Sequence, residues 1–129
     1  MDEYNLFDGS NGGIKLNAKT NLSSAWTFRG DCQIFGNSQN LNLDTTGQIV
    51  VEKGSTLRLK DLKILSLSEN QIKCLDDNSK IIFDNVTFVQ DGDFSFTTGR
   101  LEILNNVEFM GTSTFFYDCL QTLTINNDS

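Results

Sequence analysis

The sequence predicts an all-β fold in which short strands coil into a three-sided parallel β-solenoid. Three observations support this prediction: apolar residues recur with a period of about 23 residues, they do so on three separate tracks, and each track lies in short alternating strands. Apolar residues at positions i and i+2 lie on one face of a strand. Repeats of this length are typical of solenoids, whose coils stack on one another.

The three tracks define the sides of the predicted coil. Three strands per repeat, matching in phase, predict about five coils of about 20–24 residues each. An antiparallel β-sandwich would also contain many short strands, but it does not predict that every third strand matches. The tracks run through Ile34, Leu57, Ile81, Leu101 and Leu123; through Leu41, Ile64, Phe88 and Phe109; and through Trp26, Ile49, Ile72, Phe94 and Phe115.

The first 20 residues depart from this repeat. They contain one candidate strand, Ile14-Lys15-Leu16, so we predict an N-terminal cap or tail over residues 1–20 and solenoid repeats over residues 21–129. Inward-pointing residues of the repeats should form one apolar column. The predicted core comprises Trp26, Phe28, Ile49, Val51, Leu57, Leu59, Ile64, Ile72, Ile81, Phe83, Phe88, Phe94, Phe96, Leu101, Ile103, Phe109 and Phe115.

A polar residue follows the first track in each later coil. Asp61, Asn85, Asn106 and Asn127 recur at nearly equal intervals, which predicts a polar ladder along one corner. Stacked Asn side chains can hydrogen-bond along such a stack. The alternative is that Asn is simply a common turn residue.

The C-terminal residues predict a stacking interface. Leu123 and Ile125 lie one strand into a new coil, followed by the Asn126-Asn127 corner. An open edge of a parallel sheet invites pairing with another chain, and head-to-tail contacts of this kind can give filaments. We therefore expect the chain either to stack on further copies of itself or to continue into another coil of a longer solenoid.

Composition excludes several functions. The chain has no His, which removes Ser-His-Asp catalysis and most catalytic zinc sites. Its net charge of -7 argues against nucleic-acid binding, and it has no apolar run that could span a membrane. The acidic corners lack an EF-hand spacing or a glycine-rich calcium repeat. We predict no catalytic residue, no cofactor and no metal site, and hence no enzyme.

Three cysteines occur at Cys32, Cys74 and Cys119. The repeat places successive cysteines two layers apart, roughly 9–10 Å at the spacing of paired strands. This exceeds the Cα separation that a disulfide can bridge. We therefore predict no internal disulfide, and an inward position for Cys74.

The repeats resemble those of right-handed parallel β-helix proteins. The segments that carry the resemblance are STLRLKDLKIL, SKIIFDNVTFV, GRLEILNNVEFM and QTLTINN. This group includes pectin-lyase-like enzymes, autotransporter passengers and uncharacterised bacterial surface proteins. The resemblance implies right-handed coiling and an extracellular or cell-surface location, with any signal peptide outside this chain.

We accordingly expect a structural or adhesive module that assembles end to end. The alternative is a carbohydrate-binding or carbohydrate-active domain that recognises surface glycans. Exposed aromatic residues would help such a domain, and the candidates are Phe35, Phe116 and Tyr4.

Overall fold

The computed structural model describes residues 6–8, 13–69, 71–117, 119 and 124–125. These residues form no helix, and so none that could cross a membrane. They form parallel strands stacked as a β-solenoid of about four turns, with shorter strands at both ends. The strands are β1 (Leu6–Asp8), β2 (Gly13–Lys15), β3 (Thr20–Leu22), β4 (Ala25–Arg29), β5 (Asp31–Phe35), β6 (Asn40–Leu43), β7 (Gln48–Val51), β8 (Thr56–Leu67), β9 (Ile72–Cys74), β10 (Lys80–Gln90), β11 (Phe94–Phe96), β12 (Arg100–Met110), β13 (Phe115–Tyr117) and β14 (Thr124–Ile125).

The strand pairing confirms the predicted parallel solenoid, of which the structure describes about four turns where the sequence predicts about five. Ile81 of β10 pairs in parallel with Leu57 of β8 on one side and with Leu101 of β12 on the other. Each residue therefore lies beside its counterpart one repeat away. The largest sheet runs in the order β14-β12-β10-β8-β5-β2, a second sheet runs β1-β4-β7-β9, and a third contains β11 and β13.

The first and second sides of the coil are joined more closely than the sequence predicts. The sequence predicts separate short strands there, whereas β8, β10 and β12 each run continuously around the corner. The backbone bends at Asp61 and Asn85, whose φ angles are 52° and 63°. Asp and Asn enter this left-handed region more readily than other residues with a side chain. The bend also interrupts the pattern in which every second side chain points inward. Leu59 and Leu62, which are three residues apart, are therefore both buried.

Most of the predicted core is buried, but Phe109 is 40% exposed, so its predicted core position is wrong. Its ring stacks on that of Phe88, with centroids 5.2 Å apart. No described strand pairs over this half of β12, so the outer face of the ring stays open. Trp26, Ile103 and Phe115 pack against the core but are only partly buried. The predicted residues that are buried are Phe28, Ile49, Val51, Leu57, Leu59, Ile64, Ile72, Ile81, Phe83, Phe88, Phe94, Phe96 and Leu101.

The described part of the N-terminal segment also pairs in parallel with strands of the following repeat. β1 pairs in parallel with β4, and β2 pairs in parallel with β5. Leu16 follows β2 and is 3% exposed, so this segment contributes to the core. The division of the chain at residue 20 into a cap or tail and a repeat region stays a prediction.

Candidate functional site

A polar network centred on Asp84 lies on the outward face of the first side. The Asp84 side chain is 2% exposed, although β10 turns it away from the apolar core. Arg58 donates from Nε (3.1 Å) and Nη2 (2.7 Å) to Asp84 Oδ2, and Lys60 Nζ lies 3.4 Å from the same oxygen. Asn105 Nδ2 donates to Oδ1 at 2.6 Å. One carboxylate therefore ties β8, β10 and β12 together.

The pKa of Asp84 reflects two opposing effects. Burial raises the pKa of a carboxyl group, but the hydrogen bonds from Asn105, Arg58 and Lys60 and the charge of Lys60 favour the ionised form. The net effect holds the pKa of Asp84 below its usual value. The carboxylate stays charged near neutral pH and accepts bonds on both oxygens, so it is a structural anchor rather than a proton donor.

The cations around Asp84 remain accessible. The side chains of Arg58 and Lys60 are 39% and 37% exposed. Phe35 pairs in register with Lys60 on one side and with Lys15 on the other, and Lys15 Nζ lies 5.8 Å from the centre of the Phe35 ring. A half-buried aromatic ring thus lies between two lysines on neighbouring strands. We name this set the basic face: Lys15, Phe35, Arg58 and Lys60.

The predicted polar ladder lies at the adjacent corner. Asn85 Nδ2 donates to Asp61 Oδ1 at 3.0 Å, so the structure brings these two residues together. Asn106 is exposed on β12, where the pairs on either side of it place it next to Asn85. Asn127 lies outside the described residues. The ladder over all four residues therefore stays a prediction.

The predicted stacking interface falls largely outside the described part of the chain. Leu123, Asn126 and Asn127 are not among the described residues. Ile125 belongs to β14, whose backbone pairs with Ile103 of β12. The described end of the stack shows an additional feature: the interior aromatic column reaches the surface at Phe109. That ring lies 4.6 Å from Phe115, which packs in turn on Phe94 at 5.0 Å.

The third side contains a shallow cleft of about 80 Å³ between β9 and β11. Cys74 lies at its edge, and burial is the main cause that raises the pKa of its thiol to about 12. The predicted inward position of Cys74 is confirmed. Cys32, Cys74 and Cys119 are all free thiols. Among the described residues, no group of His, Cys, Asp and Glu side chains is arranged to hold a metal ion.

Comparison with known protein families, characterised proteins and solved structures finds no match to this chain. The structure confirms the coarser part of the resemblance, a β-solenoid of parallel stacked strands, and the kinship with pectin-lyase-like or bacterial surface proteins stays a prediction.

The sequence prediction missed the Asp84 network and the exposed position of Phe109. A signal for the network was present, because Asp84 is in phase with Lys60 in the previous repeat. Opposite charges one repeat apart become direct neighbours in a solenoid. The exposure of Phe109 has no such signal, because its sequence surroundings resemble those of the buried Phe88.

Proposed function

We propose that this chain is a structural β-solenoid module of a secreted or cell-surface bacterial protein, and that it stacks end to end on further copies of itself. The observation that carries the proposal is the open aromatic column at the end of the described stack. Phe109 continues the buried column of Phe83 and Phe88, yet 40% of its surface remains exposed. Burying such a ring under a further layer is favourable in water.

Two further features support assembly at this end. Met110, beside Phe109 on β12, is 45% exposed, so apolar surface continues onto the outer face. Within the described residues, β14 extends the sheet only opposite Glu102 and Ile103. No other described residue pairs with that edge of β12, and open sheet edges generally attract another strand. A rigid rod built this way would present its corners at regular spacing, which suits a structural or adhesive role.

Sedimentation velocity over a concentration series, with negative-stain imaging, tests end-to-end assembly. We expect the wild-type chain to form rods that lengthen with concentration, because the contact is head to tail. Phe109→Lys should abolish this growth, and Ile125→Lys should weaken it by disturbing β14. Phe116→Lys is the matched control, because Phe116 is 47% exposed on a different side of the coil.

A wild-type chain that stays monomeric at every concentration would overturn end-to-end assembly. Equal loss of assembly in Phe109→Lys and Phe116→Lys would also argue against it, since that result indicates general surface stickiness. Circular dichroism of each variant establishes that the β structure is retained.

We propose carbohydrate binding as a second candidate function, and the basic face is the observation that favours it. Lys15 and Lys60 flank Phe35 on the two neighbouring strands. Arg58 lies two residues before Lys60, where it binds the carboxylate of Asp84. Arg58 already binds Asp84 through Nε and Nη2, so a ligand carboxylate would pair with the ammonium group of Lys15 or Lys60. The Phe35 ring suits a cyclic apolar surface. A glycan that carries carboxylate groups is the ligand class that matches this combination.

A glycan-array screen followed by titration tests the second candidate. We expect selective binding of acidic glycans, with affinity lost in Phe35→Ala and reduced in Lys15→Gln, which leaves Arg58 and Lys60 in place on Asp84. Lys73→Gln serves as the control, because Lys73 is exposed on the third side, away from this face. Binding that is unchanged in both Phe35→Ala and Lys15→Gln would exclude the basic face as a glycan site.

A further inference from the structure

We infer that the outer edge of β12 over residues 107–110 is a β-strand addition site, and that its partner is an extended segment of apolar–lysine–apolar sequence. The inference rests on the proposed function, because it concerns the same end layer. It goes further by naming the strand that binds, the chemistry of its partner and the residue that selects it.

The site lies where β12 extends past the described residues of β14. Val107, Glu108, Phe109 and Met110 pair in parallel with β10 on one edge. On the other edge, β14 pairs only with the part of β12 that contains Glu102 and Ile103. Within the described part of the chain, no strand lies over residues 107–110. An extended segment added there would gain backbone hydrogen bonds and cover an apolar surface, which is how strand addition generally works.

The earlier layers show which kind of strand fits. At this place in the coil, β8 contributes Leu62-Lys63-Ile64 and β10 contributes Val86-Thr87-Phe88. Both layers have an outward polar residue between two buried apolar residues. Each of these strands covers its neighbour in parallel. A further layer over Val107 and Phe109 therefore needs apolar residues on either side of an outward polar residue.

The charge of Glu108 specifies that polar residue. Glu108 lies in the outward column that also contains Thr87 and Lys63. It is exposed, and no ion pair joins it to any residue that the structure describes. Opposite charges that face each other across paired strands are favourable, and like charges are unfavourable. A lysine at the central position of the added strand is therefore selected over a glutamate.

Binding of a labelled peptide tests the site directly. The probe is a synthetic peptide of residues 61–67, which contains Leu62-Lys63-Ile64, and its matched control carries Lys63→Glu. Fluorescence anisotropy is measured with monomeric protein, below any concentration at which it assembles. We expect the Lys63→Glu peptide to bind wild-type protein about two- to tenfold more weakly. The protein variant Glu108→Lys should reverse this preference, and Phe109→Asp should reduce binding of both peptides at least tenfold.

Three outcomes would overturn the inference: no peptide binding to wild-type protein, the same peptide preference in wild-type and Glu108→Lys protein, or full binding to Phe109→Asp. Glu108 is exposed, so its substitution should leave the fold intact, and circular dichroism establishes this. Peptide binding with the charge reversal but without end-to-end assembly would support the strand site and overturn the proposed function. Conversely, if the protein assembles end to end and neither the peptide nor Glu108→Lys changes that assembly, the proposed function is supported and the strand-addition site is overturned.

Discussion

The first and third sides of this solenoid are built from the same repeat, yet their backbones pair differently. On the first side, β10 lies between β8 and β12 and pairs with both along most of its length. On the third side the strands are short, and β9 and β11 belong to different sheets within the described residues. The Ser95 amide there donates to the Glu69 side chain at 2.7 Å. Matching apolar residues therefore align the layers without ensuring that the strands pair.

The difference teaches that side-chain stacking and backbone pairing are separable in this fold. Phe94 and Phe96 of β11 are buried as completely as residues of β10, although β9 and β11 do not share a sheet. The third side is held by its interior aromatic residues and by close packing at its corner. We expect it to open more readily than the first side, because fewer backbone hydrogen bonds must break.

The largest expected effect concerns the interior that both sides share. Phe88 is fully buried, and its ring contacts Phe83, Phe109 and Phe115. Phe88→Ala should lower the free energy of unfolding by about 3–5 kcal/mol, because it removes a large side chain and leaves a cavity. Urea denaturation measures this change. Phe116→Ala is the control and should change stability by less than about 0.5 kcal/mol; similar losses in both variants would contradict the proposed core.

The next effect concerns the corner that closes the third side. Gly99 has a φ angle of 101°, and a Cβ atom added there would lie 2.6 Å from Cys74 Cβ. Gly99→Ala should lower the free energy of unfolding by about 2–4 kcal/mol, through backbone strain and overpacking. In Gly54→Ala the φ angle is also positive, but a Cβ atom would meet nothing within 4 Å. This control should cost only about 1 kcal/mol, and equal losses would show that packing at Gly99 is unimportant.

A smaller, pH-dependent effect concerns the Asp84 network on the first side. Its hydrogen bonds lower the pKa of Asp84 in the folded state. The resulting stabilisation is present above the unfolded pKa of about 3.9 and is lost as the pH falls through the folded value. Asp84→Asn should cost about 1–3 kcal/mol at pH 7 and reduce the loss of stability below about pH 4. Denaturation between pH 7 and pH 2 measures both changes, and parallel curves for the two proteins would contradict this role.

The smallest effect reports directly on the looser side. Burial raises the pKa of the Cys74 thiol to about 12, so at pH 8 almost none of it is thiolate. In a Cys32→Ser/Cys119→Ser variant, iodoacetamide should alkylate Cys74 far more slowly than it alkylates the unfolded chain. Gly99→Ala should accelerate the reaction, because it disturbs packing against Cys74. Alkylation of folded protein at the rate of the unfolded chain would show that the third side is already open.

Much of the fold could be predicted because, in a solenoid, residues that are one repeat apart in the sequence become neighbours on paired strands. Leu57, Ile81 and Leu101 recur in phase, and the structure pairs them directly. The period also places Asp84 beside Lys60, but it does not show that Asp84 is buried. The network requires that Asp84 be buried at a corner while Arg58 and Lys60 reach it from the neighbouring strand, and burial at a corner depends on the bend of the backbone.

The repeat period and the alternation of apolar residues determined the strands, their parallel register and most of the core, since these follow from spacings that can be read along the chain. Tertiary structure decided where the chain bends without breaking, as at Asp61 and Asn85, and where adjacent layers fail to pair, as between β9 and β11. It also decided that Phe88 is covered and Phe109 is open. The physical reason is that burial depends on the layer above and the layer below, and a residue's own sequence neighbours specify neither.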